Sequence, residues 1–167
     1  MATSRFYLDT NLLYSFLSLK KTHLKRVESA REFILGQKSK GSVLICSPIA
    51  RIELYKHLFS EFTGFSRQKN YNDISGKFGE LTSAGVLIEK AFNMDNISEI
   101  NSMFDYAKKS YAEHGLGLAD SFISAEAIAS KSVLVTFDPD FKKGLKKLNW
   151  YNPETKQASD PAVKRLV

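Results

Sequence analysis

The sequence predicts an α/β fold, a three-layer α/β/α sandwich with a mostly parallel central sheet. Short apolar segments alternate along the chain with longer segments whose apolar residues recur at helical spacing. The clearest apolar segments are residues 5–8, 43–46, 86–88 and 133–136. Segments this short and apolar are typical of buried parallel strands. Strands that alternate with helices favour a parallel sheet covered by helices on both faces.

Helix candidates follow most of these strands. They are residues 11–19, 22–37, a helix that Ser47 caps and Pro48 opens, residues 96–113 and residues 118–130. Serine as N-cap and proline at the first helical position are favoured because neither leaves a backbone amide unsatisfied. The helix at 118–130 is rich in Ala and Ser, which allow close packing against a sheet.

Three further segments have weaker signals. We expect residues 61–85 to be helical in pieces interrupted at Gly64, Gly76 and Gly79, residues 138–148 to form a loop with a short basic helix, and Trp150 and Tyr151 to be a last strand. The prediction is one domain over residues 1–153. A polar C-terminal tail, expected to be loosely ordered, follows over residues 154–167.

Composition limits the class of protein. A chain of 167 residues suits one domain with an ordinary core. The single Cys46 excludes an internal disulfide, and no apolar run is long enough to span a membrane, so a cytoplasmic location is expected. The net charge of +6, with a sequence pI near 9.3, favours a polyanionic partner.

Four acidic residues follow a predicted strand or begin a predicted helix. They are Asp9, Glu53, Asp120 and Asp138. Each alone could be a helix cap or a first-turn acid, since helix N-termini favour negative charge. Together at one sheet edge they would repel unless a cation compensates them. Hard oxygen ligands suit Mg²⁺ or Mn²⁺, and a metal held by carboxylates can hydrolyse a phosphodiester.

The order of these motifs resembles that of PIN-domain ribonucleases, in particular the VapC-type toxins of toxin–antitoxin systems. The matching blocks are Leu8-Asp9-Thr10-Asn11, Ser47 to Glu53, Leu118-Ala119-Asp120-Ser121 and Leu134 to Phe141. The resemblance runs from Phe6 to about Pro153.

The resemblance implies a metal-dependent endoribonuclease. It implies that Asp9, Asp120 and Asp138 bind the metal, with Glu53 as the other catalytic acid, and that Asn11 and Thr136 support them. Asp140 could replace Asp138 or cap the short helix that follows. The implied partners are an RNA substrate, an antitoxin protein and a second copy of the chain.

The residues themselves leave some alternatives open. Basic side chains that could contact RNA are Arg51, Arg67, Lys69, Lys142 and Lys143. Phe59, Phe62 and Phe65 recur every three residues and form either core or an exposed groove for a partner. The chain is longer than a minimal toxin, so a non-toxin PIN nuclease or a binding module is an alternative. An Asp-x-Asp phosphatase is disfavoured, because Asn11 stands where the second acid would be.

Overall fold

The computed structural model describes residues 4–18, 23–61, 67–88, 97–143 and 147–167. The strands are β1 (Arg5–Leu8), β2 (Val43–Cys46), β3 (Val86–Ile88), β4 (Val133–Val135), β5 (Trp150–Asn152) and β6 (Gln157–Ala158). The helices are α1 (Thr10–Leu17), α2 (Leu24–Ser39), α3 (Pro48–Glu61), α4 (Arg67–Ser83), α5 (Ile97–His114), α6 (Leu118–Ala129) and α7 (Pro161–Leu166), with a 3₁₀ helix at Pro139–Lys143.

The strands form one sheet in the order β3-β2-β1-β4-β5-β6. All neighbours pair in parallel except β5 and β6, which are antiparallel. This confirms the predicted α/β architecture with a mostly parallel sheet flanked by helices. Strand order changes direction between β1 and β4, and in open α/β sheets ligands bind at such a switch point, outside the carboxyl ends of the strands.

The core lies on both faces of β1. Phe6, Tyr7 and Leu8 are completely buried, as expected for a central parallel strand. Phe33 of α2 packs edge-to-face on Phe6, with ring centres 5.3 Å apart, and also contacts Tyr151 of β5. Burying one such ring stabilises the fold by about 1.5–3 kcal/mol, so these contacts hold α2 firmly against the sheet.

Helix α4 corrects one prediction. It runs without interruption through Gly76 and Gly79, where breaks were expected, whereas Gly64 lies outside the described residues. Each glycine costs a helix about 1 kcal/mol. Ile74 and Leu81 lie seven residues apart on the same face and are both buried, which compensates for that cost.

The C-terminal segment corrects a second prediction, because residues 154–167 are not a loosely ordered tail. Strand β6 pairs with β5, and α7 begins at Asp160, whose carboxylate accepts hydrogen bonds from the amides of Ala162 and Val163. Val163 is buried in the main core. The division of the chain at residue 153 stays a prediction.

Across the described ranges, none of the helices combines the length and the apolar character that crossing a membrane requires.

Candidate active site

Asp9 lies where β1 meets α1, at the switch point of the sheet. Its side chain is only 2% exposed and caps α1 by accepting a 2.7 Å hydrogen bond from the Thr10 amide. Its second carboxylate oxygen accepts a 2.6 Å hydrogen bond from the Thr136 hydroxyl. Both interactions fix the carboxylate at the carboxyl end of β1, as the sequence predicted for this residue.

Thr136 connects the ends of β1 and β4. Besides donating to Asp9, its hydroxyl oxygen accepts hydrogen bonds from the Asp138 amide at 2.9 Å and from the Asn11 side chain at 3.3 Å. The side-chain oxygen of Asn11 in turn accepts a hydrogen bond from the Phe137 backbone amide at 3.1 Å. Thr136 and Asn11 therefore hold the loop after β4 against Asp9. Their supporting role in catalysis stays a prediction.

Glu53 lies on α3, which follows β2. The helix begins as the sequence predicts, since the Ser47 hydroxyl accepts a 2.9 Å hydrogen bond from the Ala50 amide. The Thr10 hydroxyl donates a 2.6 Å bond to Glu53. Because Thr10 directly follows Asp9 in the chain, this bond holds the Glu53 carboxylate near Asp9.

Asp120 lies in the first turn of α6, and its position depends on the glycine before the helix. A Cβ atom added to Gly117 would lie 3.0 Å from the Asp120 carboxylate, so a side chain there would displace it. Asp138 is half-buried after β4 and accepts a 2.8 Å bond from the Asp140 amide.

A buried polar contact joins the three elements that carry these acids. The Tyr7 hydroxyl of β1 donates to the Glu126 carboxylate of α6, and the Ser47 side chain at the start of α3 also bonds to Glu126. Burial raises the pKa of the Glu126 carboxyl above its ordinary value. The contact ties together the elements that bear Asp9, Asp120 and Glu53.

The four predicted acids line one open cavity of about 320 Å³. Its walls are Asp9, Thr10, Asn11, Tyr14, Glu53, His57, Asp120 and Asp138. Among the residues that the structure describes, no Lys or Arg side chain lines this cavity. The cavity therefore has a strongly acidic lining on a chain whose net charge is +6.

The pKa values of two of these carboxyls are raised. Burial raises the pKa of Asp9 to about 7, helped by the nearby charges of Asp120 and Glu53 and opposed by the hydrogen bonds from Thr136 and Thr10. Burial also raises the pKa of Asp120 to about 6, followed by the charges of Asp138, Glu53 and Asp140. Hydrogen bonds within the fold thus compensate the negative charge of this cavity only in part.

The donor set suits a hard divalent cation such as Mg²⁺ or Mn²⁺, since the lining offers several carboxylates. In the placed conformations, no three Asp, Glu, His or Cys side chains of the described ranges are arranged to hold a metal ion. Ligation by Asp9, Asp120 and Asp138 therefore stays a prediction.

Comparison with known proteins places this fold in a family. A model of the PIN domain matches residues 6–145. The chain belongs to the PIN domain family. No curated protein sequence gives a significant match.

Solved structures show the same PIN fold. The chain is 21% identical to VapBC2 from Rickettsia felis, solved bound to a promoter DNA fragment, with a TM-score of 0.64 and coverage of 89% of this chain and 98% of the other. VapBC-1 from nontypeable Haemophilus influenzae is 18% identical to this chain, with a TM-score of 0.58 and coverage of 89% of this chain and 98% of the other. PAE2754 from Pyrobaculum aerophilum is 19% identical to this chain, with a TM-score of 0.56 and coverage of 99% of this chain and 98% of the other. These likenesses show a shared fold, and two of the three structures are VapBC proteins, the kind of system that the sequence resemblance indicated.

Of the predicted basic residues of this PIN domain, the two whose side chains the structure describes, Arg51 and Lys142, do not line the acidic cavity. Arg51 lies 4.9 Å from the centre of the Phe78 ring and lines a separate cavity of about 530 Å³ between α3 and α4. Lys142 lies over Trp150 and donates to Gln157. The side chains of Arg67, Lys69 and Lys143 lie outside the described part of the chain.

Two other predicted features are resolved only in part. Asp140 is exposed and does not line the acidic cavity, although its charge contributes to the raised pKa of Asp120. Phe59 is 41% exposed and stacks on Tyr55, so it does not belong to the core. Phe62 and Phe65 lie outside the described residues.

Sequence reasoning did not single out three residues that line the PIN cavity, namely Thr10, Tyr14 and His57. A signal was present, because Tyr14 follows Thr10 by four residues and His57 follows Glu53 by four. Residues at this spacing share a helix face. Once Asp9 and Glu53 are placed at one site, this spacing brings Tyr14 and His57 to the same cavity.

Proposed function

We propose that this PIN domain is an endoribonuclease that uses Mg²⁺ or Mn²⁺ and is the toxin of a toxin–antitoxin pair. The observation that carries the proposal is the cavity at the switch point, which Asp9, Glu53, Asp120 and Asp138 line together. Buried, mutually repelling carboxylates are the arrangement that a bound cation stabilises. The raised pKa values of Asp9 and Asp120 indicate that the fold alone does not supply this stabilisation.

The reaction that we assign is hydrolysis without a covalent intermediate on the protein. A divalent cation bound here supplies a water nucleophile at neutral pH and stabilises the charge that develops on the phosphate. Asp9, Asp120 and Asp138 would hold that cation. Glu53, oriented by Thr10, is the carboxylate that we assign to accept the proton of the attacking water.

Thr136 and Asn11 act as positioning residues in this proposal. Neither needs to contact the substrate, because their hydrogen bonds already fix Asp9 and the backbone of the loop that carries Asp138. Ligands of metal sites commonly depend on such outer partners for orientation. This division of roles leaves the four acids for the cation and the water.

RNA as substrate and an antitoxin as partner have separate support. The net charge of +6 favours a polyanion, whose phosphates on either side of the cleaved bond would contact basic surfaces outside the acidic cavity. The fold is similar to that of VapBC2 and VapBC-1, whose names describe two-component assemblies. A PIN nuclease of RNA processing, without an antitoxin, is the second candidate, favoured by a length beyond that of a minimal toxin. A homodimer is compatible with either role.

The direct test is cleavage of end-labelled RNAs with Mg²⁺ or Mn²⁺, compared with EDTA. We expect cleavage to need the metal and Asp9→Asn to reduce the rate at least about 100-fold, because several kcal/mol of transition-state stabilisation depend on the cation. The exposed Asp105→Asn variant removes the same charge on α5 and should cleave like the wild type. Cleavage that persists with EDTA or in Asp9→Asn would contradict the metal–carboxylate mechanism.

The toxin assignment needs a second experiment. Expression of the wild-type chain in a bacterial host should stop growth, whereas Asp120→Asn should not. Co-expression of a small gene encoded beside this one should restore growth. Metal-dependent RNA cleavage without any growth arrest would favour the processing nuclease over the toxin.

A further inference from the structure

Tyr14 and His57 form an aromatic pair at the wall of the acidic cavity. Their ring centres are 5.7 Å apart, with the planes inclined by 51°. Both line the cavity together with the acids. Neither has a place in the hydrolysis described above.

The pair repeats a contact of the active site one helical turn further along both helices. Thr10 of α1 bonds to Glu53 of α3 at 2.6 Å, and the next residues on the same faces are Tyr14 and His57. One turn of helix corresponds to about 5.4 Å. The rings therefore lie about one turn from the carboxylate that we assign to the attacking water, a separation comparable to the reach of one nucleotide.

The exposure of the two rings differs in a way that suits a ligand. Tyr14 is half-buried and His57 is exposed, so the His57 ring packs on a less mobile partner and keeps surface available to a ligand. The cavity lining beside them is acidic and would repel a phosphate. The ring faces offer an attraction that does not depend on phosphate charge, because any nucleobase can stack on them.

We propose that Tyr14 and His57 form a stacking subsite for the nucleobase next to the scissile phosphate of a single-stranded RNA. The proposal rests on the ribonuclease function proposed above and names the part of the substrate that this wall recognises. Stacking on aromatic rings tolerates any base, so the subsite would hold the strand in register without selecting a sequence.

The test measures binding of a fluorescein-labelled eight-nucleotide RNA by anisotropy, with Ca²⁺ in place of Mg²⁺. Calcium compensates the acidic charge but lacks the rigid octahedral preference of Mg²⁺, so binding is measured apart from cleavage. His57→Ala should weaken binding about 5- to 150-fold, the range that loss of one base–aromatic stack produces. His57→Phe should bind like the wild type, because stacking needs the ring and not the imidazole nitrogens.

Three further variants separate stacking from other roles. His57→Lys should bind as weakly as His57→Ala, and Tyr14→Phe should retain binding because the ring is kept. Phe59→Ala is the matched control, since Phe59 is an exposed aromatic residue of the same helix that does not line the acidic cavity. Thermal melting of each variant shows whether a loss of binding reflects a loss of folding.

Two results would overturn the stacking subsite. One is unchanged binding by His57→Ala, and the other is rescue by His57→Lys but not by His57→Phe, which would identify a phosphate contact. A wild-type protein that binds the RNA through these rings but cleaves nothing with Mg²⁺ or Mn²⁺ would refute the nuclease function and leave the subsite supported. Absence of binding by the wild type would refute both.

Discussion

Replacing Asp9 by Asn should stabilise the metal-free protein at alkaline pH while abolishing its proposed activity. Burial raises the pKa of Asp9 from 3.8 to about 7. The folded protein therefore keeps a proton that the unfolded chain releases between these values, and the free energy of unfolding falls as the pH rises through that window. Complete ionisation, reached near pH 8, costs the fold about 4 kcal/mol.

The asparagine variant avoids this cost but loses part of a hydrogen-bond pair. Its amide oxygen can still accept from the Thr10 amide, whereas its amide nitrogen would meet the Thr136 hydroxyl, which now donates to Asp9. Reversing that bond costs about 1–2 kcal/mol. We therefore expect Asp9→Asn to exceed the wild type by about 2–3 kcal/mol at pH 8, and the two proteins to be nearly equal near pH 4.5.

Urea unfolding with EDTA at both pH values measures this difference. Asp105→Asn, which removes an exposed acid, should follow the wild-type pH profile. Adding Mg²⁺ or Mn²⁺ at pH 8 should stabilise the wild type and leave Asp9→Asn unaffected, because a ligand raises stability only where it binds the folded state. The reasoning would be refuted by an Asp9→Asn variant that is less stable than the wild type at pH 8 without metal.

Substitutions at four other positions test the supports of the site and of the fold. Thr136→Val should lower RNA cleavage about 10- to 100-fold with Thr136→Ser near wild type, measured as initial rates at saturating metal. Tyr7→Phe removes a donor from the buried Glu126 and should cost about 1–3 kcal/mol in urea unfolding. Gly85→Ala, at a φ of +80°, should lower stability by about 1 kcal/mol, whereas Gly36→Ala, inside α2 with open space around it, should raise it by about 0.5–1 kcal/mol, both read from thermal melting.

The sheet could be predicted because its central strands β1, β2 and β4 are largely buried and form short apolar runs in the sequence. The bounds predicted for β1, β2 and β3 are those of the structure. Helix α4 was predicted in pieces because Gly76 and Gly79 disfavour a helix locally. The burial of Ile74 and Leu81 that overrides this preference depends on the tertiary fold.

The prediction of a loosely ordered C-terminal tail was wrong for a different reason. Strand β6 has only two residues, too few for an alternating apolar pattern in the sequence. It is recognised as a strand by its pairing with β5 in the structure. The start of α7 could have been predicted from the sequence, since Asp160 is an N-cap residue and Pro161 follows it at the first helical position. The polar composition of the segment concealed this local signal.

The shared cavity of Asp9, Glu53, Asp120 and Asp138 could be anticipated from position alone, because parallel strands end at one edge of a sheet. The raised pKa values of Asp9 and Asp120 could not be anticipated from the sequence. The raised pKa of Asp9 depends first on its complete burial, which follows from packing of distant segments.

The sequence alone left open whether Asp9 is only a helix cap, and the energetics of the fold argue against that. Asp9 does cap α1, and its bonds with Thr10 and Thr136 lower its pKa, yet burial and neighbouring charges raise it to about 7. Asn or Ser caps a helix about as well as Asp and carries no charge to bury. What Asp adds at this position is a negative charge, which costs the empty fold stability and becomes favourable when a cation binds. A capping role alone therefore does not account for an acid here, whereas the cation-binding role that we propose would.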